Sequence, residues 1–398
     1  MHYTQPNKRD CLLIRSSWCS PWAIRPVWSG VVRSREKHTT QNGPVKPKPD
    51  VESFPMHIAI VDADYYRQNR FPNLACLKLS GYHKGLGNSV TFLQDYSRQK
   101  NFDQVYVAKV FTDSKVPELE KNVIIGGTGF FYDKSPKLEK EVEHSMPDYS
   151  FYPDQSKYFK EYSIGWLTRG CPRRCSFCVN RNSSGTTLAS PIKEFFEPTR
   201  PKLCLLDDNI FAYPRWRDVF SELKNFRFEF KQGLDIRLLD DARGKALKES
   251  RLLGHLIFAF DDIKDYLVIS EKLKILRRWT QHQSKAYLLA GFPEAGPKNI
   301  LTVFQRLELL WRFNVLGYFM PYHSILMVPE PYRSIYTQLG RWCNMPQFQW
   351  KLSFKEFCLS QYQKAADNFK KFELTHPDMG RWLNMRYSER SGTFKMFD

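Results

Sequence analysis

Residues 164–178 read IGWLTRGCPRRCSFC. The first five are apolar enough for a buried strand, and Gly170 opens a loop on which Cys171, Cys175 and Cys178 stand in a C-x3-C-x2-C pattern. Downstream, short apolar runs at 203–206, 227–232, 256–260, 286–289 and 316–320 alternate with helical patterns. Six strands separated by helices predict parallel pairing, because parallel neighbours need crossover connections, and a partial (β/α)6 barrel is the expected fold over residues 151–330. Polar residues follow the strand ends, where a barrel of this kind carries its chemistry: Asp207-Asp208-Asn209, Gln232 to Arg237, Asp261-Asp262 and Ala290 to Glu294.

The cysteine loop admits two readings. Three thiolates on one loop can each bind one iron of a 4Fe-4S cluster and leave the fourth iron without a protein ligand. A structural zinc site needs four closed ligands, and Cys204, inside an apolar strand, is the one candidate for the fourth. A core thiol is the simpler reading of Cys204, which favours the cluster.

The motif, placed at the start of a β/α series, closely resembles the radical S-adenosylmethionine (SAM) superfamily. That resemblance implies a 4Fe-4S cluster on Cys171, Cys175 and Cys178. It also implies SAM chelated to the open iron, and an electron from the cluster cleaving the sulfonium to a 5′-deoxyadenosyl radical. An electron donor of flavodoxin or ferredoxin type is the implied partner. Phe177 matches the aromatic residue that lies near the adenine in that family. Asp207-Asp208-Asn209 takes the place of the segment that binds the SAM amino group; the alternative is a helix N-cap by Asp208 or Asn209. Arg237 is expected to pair with the SAM carboxylate or a substrate acid, or else with Asp240 or Asp241 at the surface. Asp261 or Asp262 is expected at the ribose hydroxyls and Gly291 in the adenine-side turn. Tyr322 and His323 follow the sixth strand, and Cys343 and Cys358 are expected to be buried thiols.

Residues 55–150 read as a Rossmann-like parallel sheet. A strand at 57–61 leads to Asp62 and Asp64, and an amphipathic helix follows on Leu74, Leu77, Tyr82 and Leu86, ending at Gly87. Strands at 90–93, 105–107 and 123–125 come next. The last runs into Gly126-Gly127-Thr128-Gly129, a turn open to close approach by a ligand.

Residues 56–376 as a whole resemble a group of bacterial and phage radical SAM proteins with an N-terminal cobalamin-binding-like domain. The segments that carry this likeness are Arg70-Phe71-Pro72-Asn73-Leu74-Ala75, Ser80-Gly81-Tyr82, the glycine turn, the cysteine loop and Arg341-Trp342-Cys343-Asn344. The D-x-H-x-x-G motif that supplies a histidine to cobalt in relatives does not occur in residues 57–150, and His83 is expected to face solvent late in its helix. Cobalamin is therefore admitted by the family likeness but not favoured.

The 398 residues carry a net charge of +18. Residues 1–54 form a basic leader expected to be disordered, as a flexible tail, an extended start or a transit peptide; its first 50 residues supply one third of that charge. The basic excess keeps RNA or DNA among the candidate partners and with it two alternatives, a tRNA methylthiotransferase-like enzyme and a metal-stabilised nucleic-acid-binding protein. The former uses three further cysteines in its N-terminal domain, where this chain has only Cys76. Nine irregularly spaced cysteines fit a reducing cytoplasm rather than a disulfide framework, and no run of apolar residues has the length of a membrane span. Residues 331–398 read as a helical, aromatic, basic region in which Trp342, Phe348, Trp350, Phe354 and Phe357 are too many to expose, expected to pack across the barrel.

Overall fold

The computed structural model describes residues 55–67, 71–153 and 160–391. The basic leader at 1–54, and Arg70 of the first segment that carries the family likeness, lie outside the described residues.

The N-terminal sheet contains β1 (His57–Asp62), β2 (Ser89–Phe92), β3 (Gln104–Ala108) and β4 (Val123–Gly126) in the order β2-β1-β3-β4, with every pair parallel. Alternation along β1 sends Ile58 and Ile60 to one core and Ala59 and Val61 to another, as a strand covered on both faces requires. Between β1 and β2 runs α1 (Leu74–Gly85), whose first turn is capped by the Asn73 side chain accepting from the Ala75 N–H at 3.1 Å. The helix stops two residues earlier than its apolar pattern indicates, and Leu86 is 60% exposed. Its buried face includes Cys76, Leu77, Ser80 and His83. His83, expected in solvent, is buried. Its ring nitrogens meet the Tyr106 hydroxyl at 3.2 Å and the Asn88 amide at 3.1 Å, and burial lowers its pKa. After β4 come two single-turn helices, α2 (Thr128–Phe131) and α3 (Lys140–Glu143).

The second half begins with β5 (Tyr162–Gly165) and a small antiparallel ribbon, β6 (Thr168–Arg169) with β7 (Thr187–Leu188). Strands β8 (Lys202–Leu205), β9 (Arg227–Phe230) and β10 (Arg251–Leu252) complete one parallel sheet in the order β10-β9-β8-β5. Strands β11 (Leu256–Ala259), β12 (Ser284–Ala290) and β13 (Val315–Pro321) form another. A parallel bridge between Leu234 and Phe258 joins the two, so β5, β8, β9, β11, β12 and β13 follow one another as an open six-stranded partial barrel. This is the architecture expected from the six apolar runs.

Period-two alternation sends Leu203, Leu205, Phe228, Phe230, Phe258 and Leu288 into the largest core. There they pack with α4 (Trp216–Leu223), α5 (Asp241–Glu249), α6 (Tyr266–Trp279) and α7 (Pro297–Arg312). The opposite positions Ile164 and Cys204 share a core with Ile60, Leu77 and Tyr152, so the first barrel strands are covered by the N-terminal half. Beyond β13, α8 (Tyr332–Asn344) and the helices after it bury Trp342 and Phe354 against Phe304 and Trp311 of α7, and Phe357 against Phe348. The aromatic tail thus packs on α7 and on the barrel strand β13, where Asn344 accepts the Phe319 N–H at 2.7 Å and Gln349 bonds to Gly317, and Trp350 stays 48% exposed. Among the described residues no helix is long and apolar enough to cross a membrane.

Candidate functional site

The cysteine loop leaves and re-enters the fold through the neck made by β6 and β7. At the neck Gly170 has φ +91°, and a side chain there would place its Cβ 2.2 Å from the Gly185 carbonyl oxygen. Only glycine fits, so Gly170 serves the crossing of two backbones. The Thr186 hydroxyl donates to the Gly170 carbonyl at 3.0 Å and ties the crossing together.

Asp207 and Asp208 brace this loop. Asp207, 5% exposed, accepts from the Leu167 N–H (3.2 Å), the Thr168 N–H (2.6 Å) and the Thr168 hydroxyl (2.7 Å). Burial pushes its carboxyl up to about 7 against the pull of those donors. Asp208 accepts from the Gly170 N–H and the Asn180 side chain, both at 2.7 Å. Both carboxyls, expected at a ligand, are engaged by the loop itself. The helix-cap alternative fails as well, since the 3-10 turn Ile210–Ala212 receives no side-chain cap bond.

Asn209, only 3% exposed, is the member of that triplet that faces the cysteines. Its Nδ2 donates to Cys171 Sγ at 3.3 Å and to Asp235 Oδ2 at 3.4 Å, while its Oδ1 is buried without a partner. A second N–H, the backbone of Asn180, points at Cys178 Sγ at 3.4 Å. Burial raises the Cys178 thiol to about 11 and moves the Cys175 thiol in the same direction, the latter opposed by the charge of Arg237.

Arg237 does not pair with Asp240 or Asp241, which are taken by Arg243 (2.5 Å) and Arg278 (2.9 Å). It bridges Asp235 and Asp265 instead, at 2.8 Å each, and Arg173 joins Asp235 at 2.5 Å. Asp235 is buried, which alone would raise its pKa, yet the Arg237 and Arg173 guanidiniums hold it below the usual carboxylate range. The Asp261 carboxyl is pushed up to about 6 by burial, against Arg306 and Arg237.

Gly291 has φ +86°, and a Cβ there would lie 2.6 Å from Ile325 Cγ1. Asn299 Oδ1 accepts the Gly291 N–H at 2.6 Å and Ser324 donates to its carbonyl, so this turn is fixed from two sides. Phe177 makes an edge contact with Phe292 (5.2 Å between centroids), and Phe292 another with Tyr322 (5.0 Å). His323 follows, with its Nδ1 buried and unpartnered and its pKa lowered by burial. Phe177, Gly291, Tyr322 and His323 therefore share one aromatic wall beside the cysteines. Cys343 and Cys358 are buried in the large core, as expected.

Sequence reasoning missed the contacts arriving from the N-terminal half. Tyr132 donates its hydroxyl to the Phe177 carbonyl at 2.8 Å, and Asp133 pairs with Arg181 at 2.5 Å and accepts from Asn182 at 3.0 Å. It also missed Arg306, 1% exposed, which donates to the carbonyls of Phe260 (2.8 Å), Asp261 (2.9 Å) and Leu289 (3.0 Å) and so gathers two strand ends. The glycine turn is not a ligand cradle at Gly127 or Gly129, where the space for a side chain is already filled by Lys109.

Among the described residues no group of three or more His, Cys, Asp or Glu side chains is arranged to hold a metal ion. The donor set itself, three thiols within eight residues with N–H groups aimed at two of the sulfurs, has the chemistry of an iron–sulfur ligand loop. A cavity of about 270 Å³ lies elsewhere, beside Tyr266, Glu308 and Trp382. Glu308 is already paired there with Arg381 at 2.7 Å.

No protein-family model matches the chain. No curated protein matches it either. Among solved structures it is similar to a radical S-adenosylmethionine methyltransferase, TsrM, from Kitasatospora setae, with cobalamin and a 4Fe-4S cluster bound: 10% identity, 69% of this chain and 78% of that one, TM-score 0.48. It is also similar to a cobalamin-dependent S-adenosylmethionine radical enzyme, OxsB, with aqua-cobalamin and S-adenosylmethionine bound: 11% identity, 81% of this chain and 61% of that one, TM-score 0.45. Neither likeness decides what this chain does.

Proposed function

We propose that the chain is a radical SAM enzyme, with Cys171, Cys175 and Cys178 as the protein ligands of a 4Fe-4S cluster. The carrying observation is the cysteine loop at the strand ends of a parallel partial barrel, with N–H donors on Cys171 and Cys178. When bound, the cluster and SAM supply reductive cleavage of a sulfonium and the hydrogen-abstracting radical that results.

The residues around the loop have definable tasks. Asp207 holds the entry of the loop at Thr168, and Asp208 ties Gly170 to Asn180 beyond the last cysteine. Arg237, fixed by Asp235 and Asp265, directs positive charge at Cys175 and towards a ligand carboxylate. Phe177, Phe292 and Tyr322 form an apolar wall suited to a purine face, and Asp261, just past the end of β11, is the acid assigned to ribose hydroxyls. An external one-electron donor is required.

In the N-terminal half neither His83 nor Cys76 is free to ligate cobalt. His83 is buried and engaged by Tyr106 and Asn88, and Cys76 is fully buried. Absence of corrin absorption after reconstitution with cobalamin is the expected result.

Anaerobic reconstitution tests the proposal. A brown protein with about four irons that cleaves SAM on reduction is expected, and Cys175→Ala abolishes both iron and cleavage. A colourless, zinc-loaded wild type would overturn the assignment.

A further inference from the structure

The structure assigns Asn209 as the residue that sets the reduction potential of the cluster, an inference resting on the cysteine loop being a cluster site. Three observations carry it. First, the amide orientation is fixed by its neighbours: Nδ2 lies between Cys171 Sγ and Asp235 Oδ2, and turning the group over would set Oδ1 against two acceptors. Second, the amide contributes little to holding the fold. Asp235 keeps Arg173 and Arg237 without it, and Oδ1 is buried with no partner, an arrangement that costs stability. Third, the three sulfurs are served differently. Cys178 receives a backbone N–H and Cys175 faces the Arg237 charge, whereas Cys171 receives a side-chain donor that a substitution removes.

An N–H pointing at a cysteine sulfur stabilises the electron added on reduction, and hydrogen bonds to sulfur are among the determinants of cluster potential. Asn209 therefore raises the midpoint. In Asn209→Leu and Asn209→Ala the reduced-to-oxidised ratio at the wild-type midpoint falls about tenfold, a shift of about 59 mV to more negative potential for one electron.

The test is a dithionite titration of the reconstituted full chain, followed by electron paramagnetic resonance, with iron content and thermal melting measured in parallel. The expected result is a lowered midpoint in both variants, with iron unchanged and the melting temperature unchanged or raised. An unchanged midpoint with iron retained overturns the assignment. Loss of iron from both variants with a lowered melting temperature also overturns it, because Asn209 is then a structural support of the loop. A wild type that takes up no iron refutes the cluster reading itself and is distinguished by that measurement alone.

Discussion

The strand ends of the N-terminal sheet and those of the partial barrel are built alike from parallel strands and brace their acids alike, yet they differ in the thiols that stand beside them. At the first, Asp62 accepts the Tyr152 hydroxyl at 2.6 Å, and Asp64 accepts the Val110 N–H at 2.6 Å and the Ser114 hydroxyl. The Asp64 bonds cross between the ends of β1 and β3, where the strand order reverses and open α/β sheets ordinarily bind ligands. Among the described residues both ends leave buried polar atoms over, Arg67 Nη1 and Tyr96 Oη at the first and Asn209 Oδ1 and His323 Nδ1 at the second, but the second sets them beside three thiols. Three thiols on one loop beside leftover polarity mark a place arranged for something besides the chain, whereas the acids of the first end brace neighbouring segments.

The sharpest way to break the contrast is Asp208→Ala. It frees the Gly170 N–H and the Asn180 amide, so the loop loses its tether on the side of Cys178. The chain should fold with its N-terminal sheet intact and lose most of its iron on gel filtration. Full iron retention would show that the brace is dispensable. Next in size is the glycine turn. At Gly127 φ is +100° and a Cβ would sit 2.3 Å from the Lys109 carbonyl oxygen, whereas at Gly126 nothing lies within 4 Å. Gly127→Ala should cost roughly 3 kcal/mol or more in urea unfolding, and Gly126→Ala within about 1 kcal/mol. Equal costs would remove the reason for calling this turn filled.

The six barrel strands were legible because each is a short apolar run flanked by turn residues, and burial of both faces leaves that pattern intact. The cysteine loop was legible because its ligands lie within eight residues. The bracing was not. Asp207 and Asp208 reach partners 28 to 40 residues away, and an acid after a strand looks the same whether it holds a loop or a ligand. His83 was misread because its partners Asn88 and Tyr106 turn a surface pattern into a satisfied buried group. Arg306 carries no signal at all in an amphipathic helix, since only the fold shows the three carbonyls it collects.

Asp62 sharpens the comparison through pH. Burial raises its carboxyl to about 6 from 3.8, with Tyr152 pulling the other way. A folded pKa above the unfolded one means that the associated stability is fully present below about pH 3.8 and is lost as pH rises through about 6. Asp62→Asn cannot titrate, so its stability relative to wild type should climb between those values by on the order of 3 kcal/mol and then level off. The slope is the readout, because the Asn amide also meets the Asp64 N–H and adds a pH-independent offset. A flat difference across that window would show Asp62 to be solvated like a surface acid.

The smallest effect tests whether the two regions are coupled. Tyr132 follows the filled glycine turn, holds φ at +47°, and donates to the carbonyl of Phe177, between two of the cysteines. Burial pushes its phenol up to about 12, so the hydroxyl remains a donor across the working pH range. Tyr132→Phe removes one hydrogen bond and should lower stability by about 1 kcal/mol, with iron retained. Combined with Asp133→Asn, which weakens the neighbouring pair with Arg181, the two losses should not add, because both contacts clamp the same segment of loop. Strict additivity would mean that the N-terminal half touches the cysteine loop without holding it.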